Sequence, residues 1–111
     1  MFISLNSVES MDEKIKGETF TFFFISQPNC SVCVSLHPQT ERISAEFPRI
    51  HCYSIDIADT PEIAGAFHVF TAPTLLLFID GKEYMREARF VQTEVFKNKL
   101  ARIYHERLDL M

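Results

Sequence analysis

The feature of this sequence that most constrains its fold is the stretch TFTFFFIS, residues 19–26, which is apolar at almost every position. A strand that packs on one face alternates apolar and polar residues, whereas this stretch carries aromatic residues at both even- and odd-numbered positions. Short apolar runs rich in aromatic and β-branched residues are typical of strands covered on both faces. We therefore predict a central strand that lies between two layers of helices.

Three further apolar segments and a hairpin signal complete the predicted sheet. Asp80-Gly81 is a strong signal for a two-residue hairpin, so the chain should return antiparallel to the strand that precedes it. Together with the central strand, these segments predict strands at residues 2–5, 19–26, 50–57, 74–79 and 83–90.

Helix signals lie between and after these strands. Asn6 and Glu9 have the spacing of a capping box, and Gly17 should end the helix that they begin near Lys16. Thr60 is expected to cap another helix, with a proline in its first turn. The predicted helices cover 6–16, 33–47 with Pro38 bending it, 60–67, and a last segment from about Thr93.

Apolar stripes indicate how the two longer helices should pack. Residues at helical spacing on one side of a helix form the face that it buries. For the helix at 33–47 the stripe is Val32, Leu36, Thr40, Ile43 and Phe47, and for the last helix it is Phe96, Leu100, Ile103 and Tyr104.

The predicted elements follow one another in the order β-α-β-α-β-α-β-β-α. Strands that alternate with helices pair in parallel through crossovers, whereas the last two strands form a hairpin. The chain of 111 residues has the length of one domain and contains no repeat or linker-like segment. We therefore expect a single α/β domain over residues 1–111, with a mixed sheet.

Charge and hydropathy narrow the expected partners. The net charge is −4 and no cluster of Lys and Arg appears, which argues against nucleic acid. No apolar run approaches the roughly 18 residues of a membrane span. The first ten residues, MFISLNSVES, lack the basic and apolar regions of a signal peptide. We expect a cytoplasmic protein that binds neither nucleic acid nor membrane.

The three cysteines include one close pair, Cys30 and Cys33. An odd and small number of cysteines argues against a secreted disulfide framework, and a close pair in a reducing compartment is more often catalytic or metal-binding. Cys30 follows the central strand where the next helix begins, and helix N-termini stabilise thiolates, which lowers the pKa from about 8.5 to roughly 3.5–7.5. Cys30 is therefore the candidate attacking sulfur.

Cys33 lies one turn further into the same helix. Side chains at i and i+3 have Cβ atoms about 5–6 Å apart, and a disulfide needs about 3.5–4.5 Å. A small adjustment would bridge the pair, and Cys33 would be the buried partner that resolves a mixed disulfide.

Several features together resemble the thioredoxin family: the CSVC at a strand end, Pro38 five residues after the second cysteine, the stretch APTLLLFIDGK at 72–82, and the element order. The resemblance covers about residues 2–107. It implies a thioredoxin-like three-layer sandwich with a mixed central sheet, and thiol–disulfide oxidoreductase activity. It also implies protein disulfides as substrates, an external thiol or reductase as electron donor, and no bound cofactor or metal.

The resemblance adds a third site element, the proline before the strand at 74–79. In that family this proline is cis and faces the cysteines, which makes Pro73 the corresponding residue here. A cis proline makes a sharp turn and carries no N–H. The backbone of Ala72 would then pair with an extended substrate peptide.

The sequence also departs from the family pattern at positions that would border the site. Ser31 and Val32 replace the Gly-Pro of thioredoxin proper, and Asn29 stands where the family has Trp. Phe24 stands where the family has a buried Asp that assists proton transfer. It would raise the pKa of the inner cysteine, Cys33, by excluding water. Arg89 replaces a Gly; near the sulfurs it would favour thiolate and select acidic partners, and elsewhere it is a solvated residue.

Other interpretations remain open. The fold could serve as a redox-inert or sensory binding module, or the two cysteines could be ordinary. A metal site would need about four ligands, for which His37, His51 and Cys52 are the remaining candidates. His37 could equally be a polar helix residue, and Cys52 a small buried hydrophobe or a regulatory thiol.

Overall fold

The computed structural model describes residues 2–110, and within that range the elements follow the predicted order. Strand and helix ends differ from the predicted ones by a few residues. The elements are β1 (Ile3–Leu5), α1 (Val8–Gly17), β2 (Phe20–Ser26), α2 (Ser31–Ser44), β3 (Ile50–Asp56), α3 (Ile63–Phe67), β4 (Thr74–Ile79), β5 (Lys82–Ala88) and α4 (Thr93–Asp109).

The strands form one mixed sheet in the order β1-β3-β2-β4-β5. The apolar strand β2 lies at its centre, parallel to β3 and antiparallel to β4. Because β2 and β4 run in opposite directions, Ile25 near the end of β2 pairs with Thr74 at the start of β4. The sheet therefore brings the segment before Thr74 next to the segment that follows β2.

Helices cover both faces of the sheet, as the composition of β2 predicts. Phe22 and Phe24 pack in a cluster with residues of α2 and α4. Phe23 and Ile25 point to the opposite face and pack with residues of α1 and α3. Burial of one such side chain contributes roughly 1.5–3 kcal/mol, so β2 anchors both halves of the core. The predicted α/β sandwich with a mixed central sheet is confirmed.

Two predicted helix caps are wrong. The cap of α1 is Ser7 rather than Asn6, since the Ser7 side chain accepts the Ser10 N–H at 3.1 Å. Thr60 does not cap α3, which begins three residues later at Ile63 without a side-chain cap. Thr60 is instead fully buried, so packing rather than capping accounts for its position.

The second helix also differs from its predicted bounds of 33–47. It begins at Ser31, because Cys30 is its N-cap, and it ends at Ser44. Val32 is 45% exposed and does not belong to the apolar stripe. The buried residues of α2 are Cys33, Leu36, Thr40 and Ser44, so Cys33 takes the place predicted for Val32. Leu36, Thr40 and, beyond the helix, Phe47 are buried as predicted, and Ile43 is partly buried against the same cluster.

Candidate active site

Cys30 and Cys33 form a disulfide at the start of α2, with their Cα atoms 5.3 Å apart. Cys30 is the N-cap residue of the helix, and its Sγ accepts a hydrogen bond from the Cys33 N–H at 3.2 Å. Unpaired N–H groups and the helix dipole favour negative charge at this position. The same geometry would stabilise a thiolate on Cys30 once the disulfide is opened.

The two sulfurs differ in access to solvent. Cys30 is half-buried, whereas Cys33 is 4% exposed and packs with the core on the face of the sheet that α2 and α4 cover. A substrate disulfide can therefore approach only Cys30 directly. This asymmetry is the one required of an attacking and a resolving cysteine.

A shallow cleft of about 250 Å³ joins Cys30 to the loop before β4. The Ala72–Pro73 peptide bond is cis, which is the isomer that the family resemblance implies. Pro73 is buried and Ala72 half-buried. The cleft is lined by Asn29, Cys30, Ser31, Val32, Ala72, Pro73, Arg89 and Phe90.

Arg89 is held at this cleft by its backbone. Its N–H donates to the Pro73 carbonyl at 2.8 Å, and its φ of 63° lies in the left-handed region that favours glycine. Asn29, on the other side of the cleft, also has a positive φ of 59°. Arg89 is exposed, so a cation lines the same cleft as Cys30.

Sequence reasoning missed one residue of this rim. Phe90 is 86% exposed although it is a large apolar side chain. Val32, which is 45% exposed, lines the same cleft, so the two side chains give this cleft an exposed apolar surface of the kind that marks contact sites. The sequence offered one signal for Phe90, which is its position directly after Arg89 in the loop between the last strand and the last helix.

A second cleft of about 660 Å³ opens on the inner side of the disulfide. Phe24 is 1% exposed and lies in its wall together with both cysteines. His37, one turn after Cys33, also lines it. Its ring lies edge-on to Phe24 at 5.0 Å between ring centres and to Phe2 at 5.1 Å. The remaining wall includes the uncharged polar residues Ser26, Gln27, Asn29 and Ser31, so the imidazole is the only titratable group there among the described residues besides the cysteines.

Cys52 lies apart from the disulfide, near the start of β3. It is half-buried, and burial is the main cause that raises the pKa of its thiol. Among residues 2–110, no three or more His, Cys, Asp or Glu side chains are grouped so as to hold a metal ion. Within the same range, no helix is both long and apolar enough to cross a membrane.

A sulfur pair that opens a helix at the end of a central strand, with only one sulfur accessible, defines a thiol–disulfide oxidoreductase. The chain belongs to the thioredoxin family, because the family profile described as Thioredoxin matches residues 5–103. The protein is accordingly a disulfide oxidoreductase, which confirms the activity that the family resemblance implies.

Relatives and solved structures agree with this assignment. The chain is 47% identical over 100 residues to thioredoxin-like protein YdfQ of Bacillus subtilis, which covers 90% of this chain and 89% of that protein. It is 31% identical over 97 residues to thioredoxin of Chlamydia pneumoniae, covering 86% and 93% of the two chains.

Solved structures establish the fold. Oxidised thioredoxin of Plasmodium falciparum superposes with a TM-score of 0.83 at 13% identity, over 94% of this chain and 99% of that one. Thioredoxin of Trypanosoma brucei brucei gives a TM-score of 0.81 at 23% identity, over 93% and 90% of the two chains.

Proposed function

We propose that the protein reduces disulfides of other proteins, with Cys30 as the nucleophile and Cys33 as the resolving cysteine. The observation that carries the proposal is the hydrogen bond from the Cys33 N–H to the Cys30 sulfur at the start of α2. A thiolate on Cys30 would accept this bond, which supports Cys30 as the attacking sulfur, and Cys30 is also the more exposed of the two.

The reaction proceeds in two exchanges. The Cys30 thiolate attacks one sulfur of the partner disulfide, and the partner's other sulfur leaves as a thiolate that takes up a proton. Cys33 then attacks the Cys30 sulfur, which releases the partner's second sulfur and closes the Cys30–Cys33 disulfide. Two electrons pass to the partner, and an external thiol or a reductase returns two electrons to the pair. No organic cofactor or metal takes part.

The cleft between the disulfide and β4 is the proposed substrate groove. The Ala72 backbone borders it and would pair with an extended peptide in a strand-like manner. Asn29, Ser31 and Val32 form the wall nearest to Cys30. We propose that these three side chains modulate the access of a substrate to the Cys30 sulfur.

Arg89 is proposed to select the partner. It borders the groove with an exposed guanidinium, and within residues 2–110 it makes no ion pair with a carboxylate. A cation beside the sulfurs favours the thiolate and attracts acidic residues that flank a substrate disulfide. Reduction in the cytoplasm is the proposed setting, because a reducing compartment keeps such a pair in its dithiol form.

Insulin reduction by dithiothreitol tests the proposal. The native chain should accelerate the turbidity that follows insulin reduction, and Cys30→Ser should fall to the rate of dithiothreitol alone. Cys52→Ser is the matched control and should keep the native rate, since Cys52 lies apart from the disulfide. Equal turbidity for the native chain and Cys30→Ser would instead support a redox-inert binding module.

A further inference from the structure

His37 lies on the same side of α2 as the buried cysteine. Residues four apart on a helix are neighbours on its surface, so the side chains of Cys33 and His37 are adjacent. Both line the 660 Å³ cleft on the inner side of the disulfide. The imidazole therefore lies where it can reach the sulfur that the substrate cannot.

The imidazole is held in place from three sides. The rings of Phe2 and Phe24 lie edge-on to it at 5.1 and 5.0 Å. Its Nδ1 lies 3.2 Å from Oε1 of Glu41, one turn further along α2. The other carboxylate oxygen, Oε2, accepts the Phe2 N–H at 3.3 Å. Because Nδ1–H donates to a carboxylate, Nε2 of the neutral ring is left as the acceptor.

Cys33 needs an acceptor of this kind. It must lose its thiol proton before it can attack, and a thiol buried among apolar groups ionises reluctantly. Apart from the two cysteines, His37 is the one titratable side chain among the described residues that line the cleft. Phe24, from β2, faces it with an uncharged ring, and Glu41 is the charged group that contacts it from its own helix.

We propose that His37 is the proton acceptor for Cys33, and that Glu41 is its positioning residue. In the mixed disulfide, Nε2 takes the proton from the Cys33 thiol and becomes part of an imidazolium, which the Glu41 carboxylate stabilises. The Cys33 thiolate then bonds to the Cys30 sulfur, and the bond from Cys30 to the partner breaks. The departing partner thiolate takes a proton from the imidazolium or from solvent. This inference rests on the proposed function of the pair.

The two exchanges can be followed separately with 5,5′-dithiobis(2-nitrobenzoate) in stopped flow. Reduced protein in a Cys52→Ser background releases one thionitrobenzoate when Cys30 attacks, and a second when Cys33 resolves the adduct. The variant is His37→Gln, measured from pH 5 to 9. The matched control is His51→Gln. His51 is also paired with a glutamate, since its Nδ1 lies 3.5 Å from Oε2 of Glu18, but it lies at the other end of the sheet.

At pH 7 the second release should slow about 10- to 100-fold in His37→Gln, while the first release and the control are unchanged. The pH dependence of the second release should differ between the native chain and His37→Gln, because the variant has lost the proton acceptor. His37→Phe keeps an aromatic ring between Phe2 and Phe24 and should behave like His37→Gln, which separates proton transfer from packing.

Three results would overturn the inference. The first is a second release within about twofold of native in both variants, and the second is an equal slowing of both releases. The third is a second release whose pH dependence is the same in the native chain and in His37→Gln. Failure of the proposed function has a different signature, because Cys30 would then give no rapid first release in any of these proteins.

Discussion

The backbone N–H of Cys33 donates a hydrogen bond to the sulfur of Cys30 over 3.2 Å. The contact exists because Cys30, four residues after the end of β2, is the N-cap residue of α2. A capping side chain accepts one of the helix N–H groups that have no partner within the helix. Here the capping atom is the reactive sulfur, so the start of α2 both orients Cys30 and favours its charge.

Replacing Cys33 by Ser separates the attack by Cys30 from the resolution by Cys33. The backbone donor remains, so Cys30 should still attack a partner disulfide, whereas no thiol is left beside Cys30 to release the partner. We expect Cys33→Ser to accumulate a covalent adduct with a disulfide-containing protein such as insulin, seen by mass spectrometry without reductant. Cys30→Ser should form no such adduct, and an adduct at Cys33 in that variant would contradict the assigned order of attack.

Arg89→Glu should invert the preference for charged substrates. Two unit charges about 4 Å apart in water interact by about 1 kcal/mol, which corresponds to roughly a fivefold change in rate. Disulfide peptides with acidic flanks should be reduced more slowly by the variant, and those with basic flanks faster. The difference should shrink at high salt, because ions screen exposed charges.

Arg89→Gly is the matched control for charge alone, since glycine accepts the positive φ at this position. It should lose the preference without inverting it. If Arg89→Glu changed the reduction of acidic and basic peptides equally, Arg89 would have no role in selection.

Ser7→Ala should destabilise the protein by about 0.5–2 kcal/mol, because the Ser7 side chain accepts the Ser10 N–H at the start of α1. Urea unfolding followed by circular dichroism measures the change. Asn6→Ala is the natural comparison, and we expect it to change the free energy of unfolding by no more than about 0.5 kcal/mol. The opposite ranking would place the cap at Asn6.

The free energy of unfolding should fall at alkaline pH because of Tyr53. Burial and a hydrogen bond to Glu18 raise the pKa of its phenol well above the ordinary value of 10.0. A raised folded-state pKa means that the stabilisation is complete below about pH 10 and is lost as pH rises above it, because the unfolded chain then ionises first.

Tyr53→Phe should therefore lose stability at pH 7, where the hydrogen bond to Glu18 is removed, but show a shallower decline between pH 10 and 11. Chemical unfolding at a series of pH values gives both quantities. Parallel declines for the native chain and the variant would show that Tyr53 does not cause the alkaline loss.

Much of the architecture follows from strong sequence signals. The apolar β2 segment predicts a doubly covered strand, and Asp80-Gly81 predicts the turn between β4 and β5. Both signals are local, and each is compatible with few structures. A run of aromatic residues needs a strand that is covered on both faces, and a dipeptide with positive φ needs a tight turn. The order of elements and the mixed sheet could be predicted for this reason.

Helix ends were less predictable because neighbouring residues offer equivalent caps. Asn6 and Ser7 are both good N-caps, and only the three-dimensional path of the chain selects Ser7. Thr60 has a capping side chain, but its site is buried, and burial prevails over capping. At the start of α2, Val32 faces solvent and Cys33 takes its predicted place, because the helix begins at Ser31 with Cys30 as its cap.

Contacts between distant segments could not be predicted from residue patterns alone, and the expected place of Pro73 came from the family resemblance. The approach of Arg89 to the cysteines depends on its backbone hydrogen bond to Pro73, sixteen residues earlier in the chain. The packing of His37 between Phe2 and Phe24 joins three separate elements. Such contacts depend on strand order and helix placement, which residue patterns within single segments do not encode.

Equilibration of the protein with glutathione or dithiothreitol buffers of known potential tests the central claim most directly. Thiols are trapped by alkylation and the masses counted, in a Cys52→Ser background that leaves only Cys30 and Cys33. A working exchange pair should convert reversibly in a single two-electron step between about −200 and −300 mV. A pair that stays oxidised or reduced across the whole range would contradict the assignment of Cys30 and Cys33 as a redox couple.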